Sequence, residues 1–150
     1  MKKCLLLLVT IMMAIVGRAA DGATFTYENL TYRILSEINH TVEVGRNDSA
    51  SGEISIPSSV NFNGVNYDVT VIGADAFSGC NDLISVTIPE SVTSIGASAF
   101  YNCWRLTSVI IPNSVTSIGA SAFYFCMNLT SVTIPESVTY IAYRAFGLAA

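Results

Sequence analysis

Ile95-Gly96-Ala97-Ser98-Ala99-Phe100 returns as Ile118-Gly119-Ala120-Ser121-Ala122-Phe123, 23 residues later, and the residues between the two copies return with it. In the same register Ile72-Gly73-Ala74-Asp75-Ala76-Phe77 stands one period earlier and Ile141-Ala142-Tyr143-Arg144-Ala145-Phe146 one period later. A fixed period of about 20 to 29 residues, with apolar residues at set offsets, predicts a solenoid. Each repeat is one coil too small to bury its own apolar side, so neighbouring coils bury it for each other. Function in such a chain falls to a surface.

The repeats read Cys-x-x-Leu-x-x-Val-x-Ile-Pro-x-Ser-Val-x-x-Ile-Gly-x-x-Ala-Phe. Leu83, Val86 and Ile88, then Leu106, Val109 and Ile111, then Leu129, Val132 and Ile134 carry the apolar spacing of a leucine-rich repeat. The alternation at the end of each set predicts a short strand with one buried face. Pro89, Pro112 and Pro135 follow, cannot donate to a ladder, and so end it. Val92 and Ile95 with their equivalents continue the buried side. Ile95-Gly96 then turns into Ala99-Phe100, expected as a short helical or 3₁₀ turn, and the Phe row fills the centre.

Upstream the period is lost. Phe25-Thr26-Tyr27, Thr31-Tyr32-Arg33-Ile34-Leu35 and Thr41-Val42-Glu43-Val44 are β-type runs separated by turn residues. Ile54-Ser55-Ile56-Pro57-Ser58-Ser59-Val60 matches Val86-Thr87-Ile88-Pro89-Glu90-Ser91-Val92, which marks a degenerate first repeat. The extra residues after Val60 contain Asn63-Gly64 between β-type residues, the strongest short hairpin signal. Such a hairpin is expected to shield the open edge of the stack, as solenoid ends require. The fold class expected is thus a β-rich solenoid, a leucine-rich repeat array with a strand-rich N-terminal cap over residues 21–52 and the array over residues 53–150. Regular repeats begin near residue 72, and the last repeat is incomplete.

Lys2 and Lys3, the apolar run from Cys4 to Val16 and the small-residue exit Gly17-Arg18-Ala19-Ala20 predict an export signal over residues 1–20. The mature chain is expected to start between Ala20 and Ala23, with no lipid anchor and no stable membrane span. Without the three cations of that segment the chain carries four arginines against eleven acidic residues, a net charge of 4 − 11 = −7. Nucleic acid is excluded as a partner, since phosphate binding needs clustered cations and no Lys follows Lys3.

The repeated pattern resembles the BspA-type leucine-rich repeats of exported proteins from Bacteroides-like bacteria and of some protist surface proteins. The resemblance covers residues 54–146, and residues 24–52 look like the strand-rich leader that often precedes such arrays. It implies a non-enzymatic adhesion or interaction role toward host matrix or other cells.

No catalytic, cofactor-binding or metal-binding residues are expected. His40 reads as a surface or turn histidine, and no phosphate-binding Gly-rich loop or HExxH pair occurs. Serines recur because Ser91, Ser114 and Ser137 hold one repeat position and Ser85, Ser108 and Ser131 another. Cys80, Cys103 and Cys126 fall in one row, expected as thiols packed like small apolar residues rather than as a disulfide or a tetrahedral metal site.

Positions that differ between copies are free for something other than the coil. The outward strand positions Ser85 and Thr87, Ser108 and Ile110, Ser131 and Thr133 are nearly uniform. The stretch between Phe and Leu is not: Ser78-Gly79-Cys80-Asn81-Asp82 becomes Tyr101-Asn102-Cys103-Trp104-Arg105 and then Tyr124-Phe125-Cys126-Met127-Asn128. Tyr101, Trp104, Arg105, Tyr124, Phe125 and Met127 are the ligand-binding candidates, an aromatic and Arg cluster of the kind found at interfaces. The alternative is that several turn inward around the cysteine row. A protein at the host matrix or cell surface, or a glycan, is the expected ligand; the rival reading is a structural spacer or a fragment of a longer surface protein. The chain ends a few residues into a coil, and either self-association through that uncovered end or a longer natural product is expected.

Overall fold

The computed structural model describes residues 20–147; the expected export signal and residues 148–150 lie outside the described residues, save Ala20. Eleven strands and no helix occur among the described residues. β1 (Thr24–Tyr27), β2 (Leu30–Ser36) and β3 (Thr41–Val44) form an antiparallel meander. Glu28 and Asn29 close its first turn with φ of 46° and 67°, the pair of positive values that a tight turn matched to strand twist requires. β4 (Gly52–Ser55) follows, then β5 (Ser59–Phe62) and β6 (Val65–Ile72), which pair antiparallel across Asn63 and Gly64, φ 52° and 83°. The Asn-Gly dipeptide forms its hairpin.

From there the pairing is parallel. β8 (Ser94–Ile95), β10 (Ser117–Ile118) and β11 (Tyr140–Ile141) continue a sheet ordered β1-β2-β3-β6-β8-β10-β11. β7 (Leu83–Thr87) and β9 (Ser108–Ile110) join β4 in a second sheet, which a single bridge from Ser108 to Ser131 extends. The strands of successive coils lie one repeat apart: Ser94 pairs with Ser117, and Ser85 with Ser108.

The hairpin does not shield the outer edge. β3 covers that edge of β6, from Thr41 against Asp68 to Val44 against Ile72. β5 shares the opposite edge with β8, because the eight residues of β6 are long enough to hold both. The end of the larger sheet is therefore closed by the leader strands.

Phe77, Phe100 and Phe123 are fully buried. Their rings stack face to face at 5.3 and 5.1 Å, and Phe146 continues the column at 5.1 Å. That spacing is close to the roughly 4.8 Å between paired strands, so one Phe per coil fills the centre without a gap. Leu83 with Leu106 and Leu129, and Ile72 with Ile95 and Ile118, line the same core. At the corner before the Phe, successive coils nearly touch: a Cβ on Gly119 would lie 2.5 Å from the backbone of Gly96 and Ala97.

No helical turn forms at Ala99-Phe100. Ser98 has φ 55°, outside any right-handed helix, and its equivalents Asp75, Ser121 and Arg144 have φ between 55° and 56°. The amides bond to the next coil instead, Ser98 to the Ala120 carbonyl at 2.9 Å and Phe100 to that of Ala122 at 2.7 Å. Hydroxyls also bond between coils, but to the preceding one: Ser114 donates to the Val92 carbonyl at 2.6 Å and Ser137 to that of Val115 at 2.8 Å. Ser91 has no such partner, because the coil before it is the irregular first one.

Among the described residues no helix is long and apolar enough to cross a membrane.

Candidate functional site

Each regular coil leaves its Phe by a corner with a fixed backbone. Gly79 donates to the Tyr101 carbonyl at 2.7 Å, Asn102 to that of Tyr124 at 2.8 Å, and Phe125 to that of Gly147 at 3.2 Å. This position demands left-handed backbone, with φ of 76° at Gly79, 58° at Asn102 and 61° at Phe125. Gly adopts that conformation freely and Asn with little cost, whereas a bulky residue gives up about 1–2 kcal/mol. Nothing in the repeat pattern calls for Phe at that position. The signal is legible in sequence as the column Gly, Asn, Phe, once the column is known to be left-handed.

The strained Phe125 sets its ring edge-on to Tyr124 at 4.5 Å and to Tyr101 at 6.0 Å, while Tyr101 and Tyr124 stack at 5.9 Å. Tyr101, Asn102, Trp104, Phe125 and Met127 line a concavity of ≈ 410 Å³. Trp104 and Met127 are 56% and 54% exposed. The Trp104 indole N–H donates to the Asn102 carboxamide oxygen, and Asn128 Nδ2 donates to the Trp104 carbonyl at 2.7 Å, which together fix the indole's orientation.

The six residues singled out in the sequence thus divide. Tyr101, Trp104, Phe125 and Met127 meet at the concavity. Tyr124 is half-buried behind them, close-packed against Gly147, where a Cβ would lie 2.7 Å from its ring. Arg105 is exposed and reaches the carboxylate of Asp82 at 3.2 Å, a surface pair of small energetic weight.

The thiols lie directly beneath this corner. Cys80, Cys103 and Cys126 are free and buried, and each donates to a backbone carbonyl: that of Asn47 at 2.8 Å, Phe77 at 3.0 Å and Phe100 at 3.0 Å. They form a ladder that satisfies a carbonyl of the preceding coil, a role beyond the small apolar filler expected. Burial pushes the Cys126 thiol up to about 11 and that of Cys103 further, so both remain protonated donors. His40 sits exposed in the turn between β2 and β3, φ 50°, edge-on to Tyr67 at 5.6 Å.

The BspA type leucine rich repeat region matches residues 57–149 in six copies. Comparison with the curated proteins gives no match. Among solved structures, a leucine-rich repeat protein from Bacteroides ovatus is 35% identical with a TM-score of 0.78 over 83% of this chain and 33% of its own. A leucine rich cell surface protein from Faecalibacterium prausnitzii is 36% identical, TM-score 0.70, over 83% of this chain and 34% of its own. A leucine-rich repeat protein from Bacteroides capillosus is 36% identical, TM-score 0.72, over 79% of this chain and 87% of its own. The chain thus spans about a third of the length of the first two. With its 23-residue coils, its two parallel ladders and six repeat copies, it belongs to the BspA-type leucine-rich repeat family.

Proposed function

We propose that the protein is an exported, non-enzymatic binding module that engages a protein ligand, at the cell surface or beyond it, through the corner formed by Tyr101, Trp104, Phe125 and Met127. The single observation that carries this reading is Phe125. A large apolar side chain held in left-handed backbone, where the other copies place Gly or Asn, stands beside two exposed large apolar side chains, and its strain is offset only by edge contacts with Tyr101 and Tyr124. Leucine-rich repeat arrays generally serve as protein-interaction modules, and a related protein is described as a cell surface protein. The charged, apolar and small-residue order of residues 1–20 supports export. In this reading residues 21–52 serve as the cap and residues 53–150 as the binding array.

The glycan alternative rests on the same aromatics. Of the five lining residues Phe125 and Met127 are apolar, and the Trp104 indole N–H and the Asn102 carboxamide oxygen are taken up with each other, which leaves the Tyr101 hydroxyl and Asn102 Nδ2 as the polar groups of the lining. Little remains to bond sugar hydroxyls, which favours an apolar protein epitope.

A panel of extracellular matrix proteins and glycans, presented to the purified protein and to its Trp104→Ala/Met127→Ala variant by surface plasmon resonance, tests the reading. Expected is a protein ligand whose affinity falls by at least about tenfold in the variant, with the fold intact. Absence of any ligand would favour the spacer, and binding confined to glycans would favour the carbohydrate module.

A further inference from the structure

A second concavity, of ≈ 380 Å³, lies at the other end of the molecule, between the β1–β2 turn and strand β4. β4 is the edge strand of its sheet. It pairs with β7 on one side only, through Gly52 N–H to the Asp82 carbonyl at 2.8 Å and Ile56 N–H to the Thr87 carbonyl at 3.0 Å. The amides of the alternate residues, Glu53 and Ser55, point the other way and have no backbone partner among the described residues. Ser51, Glu53 and Ser55 all line the concavity, so the unpaired edge forms one of its walls.

The opposite wall is Glu28 and β2, including Tyr32. The Tyr32 side chain is fully buried, and its hydroxyl has no hydrogen-bond partner among the described residues. Burial, with the Glu28 carboxylate second, pushes this phenol up to about 12, so it stays an O–H donor in want of an acceptor. The charge is one-sided: Glu28 and Glu53 are carboxylates, and no Lys, Arg or His is among the lining residues. The nearest arginines in sequence are committed elsewhere, Arg33 to Glu43 at 2.7 Å and Arg46 to Asp48 at 2.5 Å.

We infer that this groove takes an extended peptide segment bearing a Lys or Arg, which adds to the free edge of β4 through main-chain hydrogen bonds and sets its cation between Glu28 and Glu53. Strand addition uses the alternating donors and acceptors that β4 leaves open, and side-chain specificity comes from the pocket beside the edge. The cation's complement is the pair of carboxylates, and a charge-assisted bond to either is among the stronger polar contacts. A sugar is the poorer fit, because the lining contains no exposed aromatic face on which a ring would stack.

Amide chemical shifts of the isotopically labelled protein, titrated with a short acetylated and amidated Thr-Val-Lys-Val-Thr peptide, test the inference. Expected are shifts centred on Glu53 and Ser55, with binding weakened at least roughly tenfold by Glu28→Gln/Glu53→Gln or by a Glu in place of the peptide's Lys. A peptide with Pro at alternate positions should bind far more weakly, since it cannot donate to the ladder. Trp104→Ala/Met127→Ala should bind the peptide unchanged, which separates this groove from the aromatic corner. The inference is overturned if the Glu peptide binds equally well, if the shifts centre on Trp104, or if no shift appears at millimolar peptide. It is equally overturned if maltohexaose moves the Glu53 and Ser55 amides while the peptide does not. Should the double variant misfold, the exchange of Lys for Glu in the peptide decides alone.

Discussion

Two columns of the coil stand two residues apart and obey different rules. Phe77, Phe100, Phe123 and Phe146 are one residue type, stacked at a spacing near that of the strands, the first three fully buried and the last partly so. Gly79, Asn102 and Phe125 share one backbone conformation but not one side chain, and the last of them opposes the conformation it is given. The first column shows what the fold demands; the second shows where it leaves freedom. In a repeat protein a position that varies while its backbone stays fixed is where a surface can be specialised without cost to the core.

The contrast breaks most visibly at the core. Phe100→Ala should cost ~3–5 kcal/mol in chemical denaturation, because the cavity opens in the middle of a rigid stack. An unchanged midpoint would mean that the column does not carry the core. At the corner of close approach, Gly119→Ala should cost about 1–3 kcal/mol by forcing two coils apart, whereas Ala at the exposed position 97 already shows that the neighbouring site tolerates a methyl.

The thiol ladder gives a pH test. The folded Cys126 thiol is raised to about 11 from 9.0, so it holds its proton where the unfolded chain would lose it. Stability should therefore be full below about pH 9 and fall as pH rises toward about 11, the direction linkage gives when the native state binds more protons. Tyr32, raised to about 12 from 10.0, extends the same loss upward. Melting curves between neutral and alkaline pH check the sign. Iodoacetamide should leave native Cys103 and Cys126 unmodified at mildly alkaline pH, since the thiolate is the nucleophile.

The smallest change is the most informative. Phe125→Asn relieves about 1–2 kcal/mol of left-handed strain and gives up edge contacts with two tyrosines worth about 0.5–1.5 kcal/mol each. The two nearly cancel, so stability should stay within about 1 kcal/mol of the parent. A loss like that of Phe100→Ala would place Phe125 in the core.

What the sequence made legible is what repeats. The 23-residue period placed the Phe stack, the cysteine row and the strand positions of the first two regular coils, and Asn63-Gly64 placed the hairpin. The strand expected at Leu129, Val132 and Ile134 is reduced to the single bridge at Ser131, with Ile134 41% exposed. The pairing of β3 with β6 was not legible, because it joins irregular segments far apart in the chain and leaves no period. The helical turn at Ala99-Phe100 was a misreading of small residues that favour helix locally. There the cross-coil hydrogen bonds prevail, and Ser98 adopts a φ no helix allows. At the candidate site, composition singled out six residues, but only the backbone separates Tyr124, which packs behind, and Arg105, which faces Asp82, from the four at the concavity.

The most direct test compares one melting curve with one binding curve for Trp104→Ala/Met127→Ala. If the corner is a binding surface carried by the coil, the variant melts with the parent while its affinity for the ligand found in the panel falls by at least about tenfold. A variant that melts well below the parent would contradict that account and assign Trp104 and Met127 to the packing of the coils.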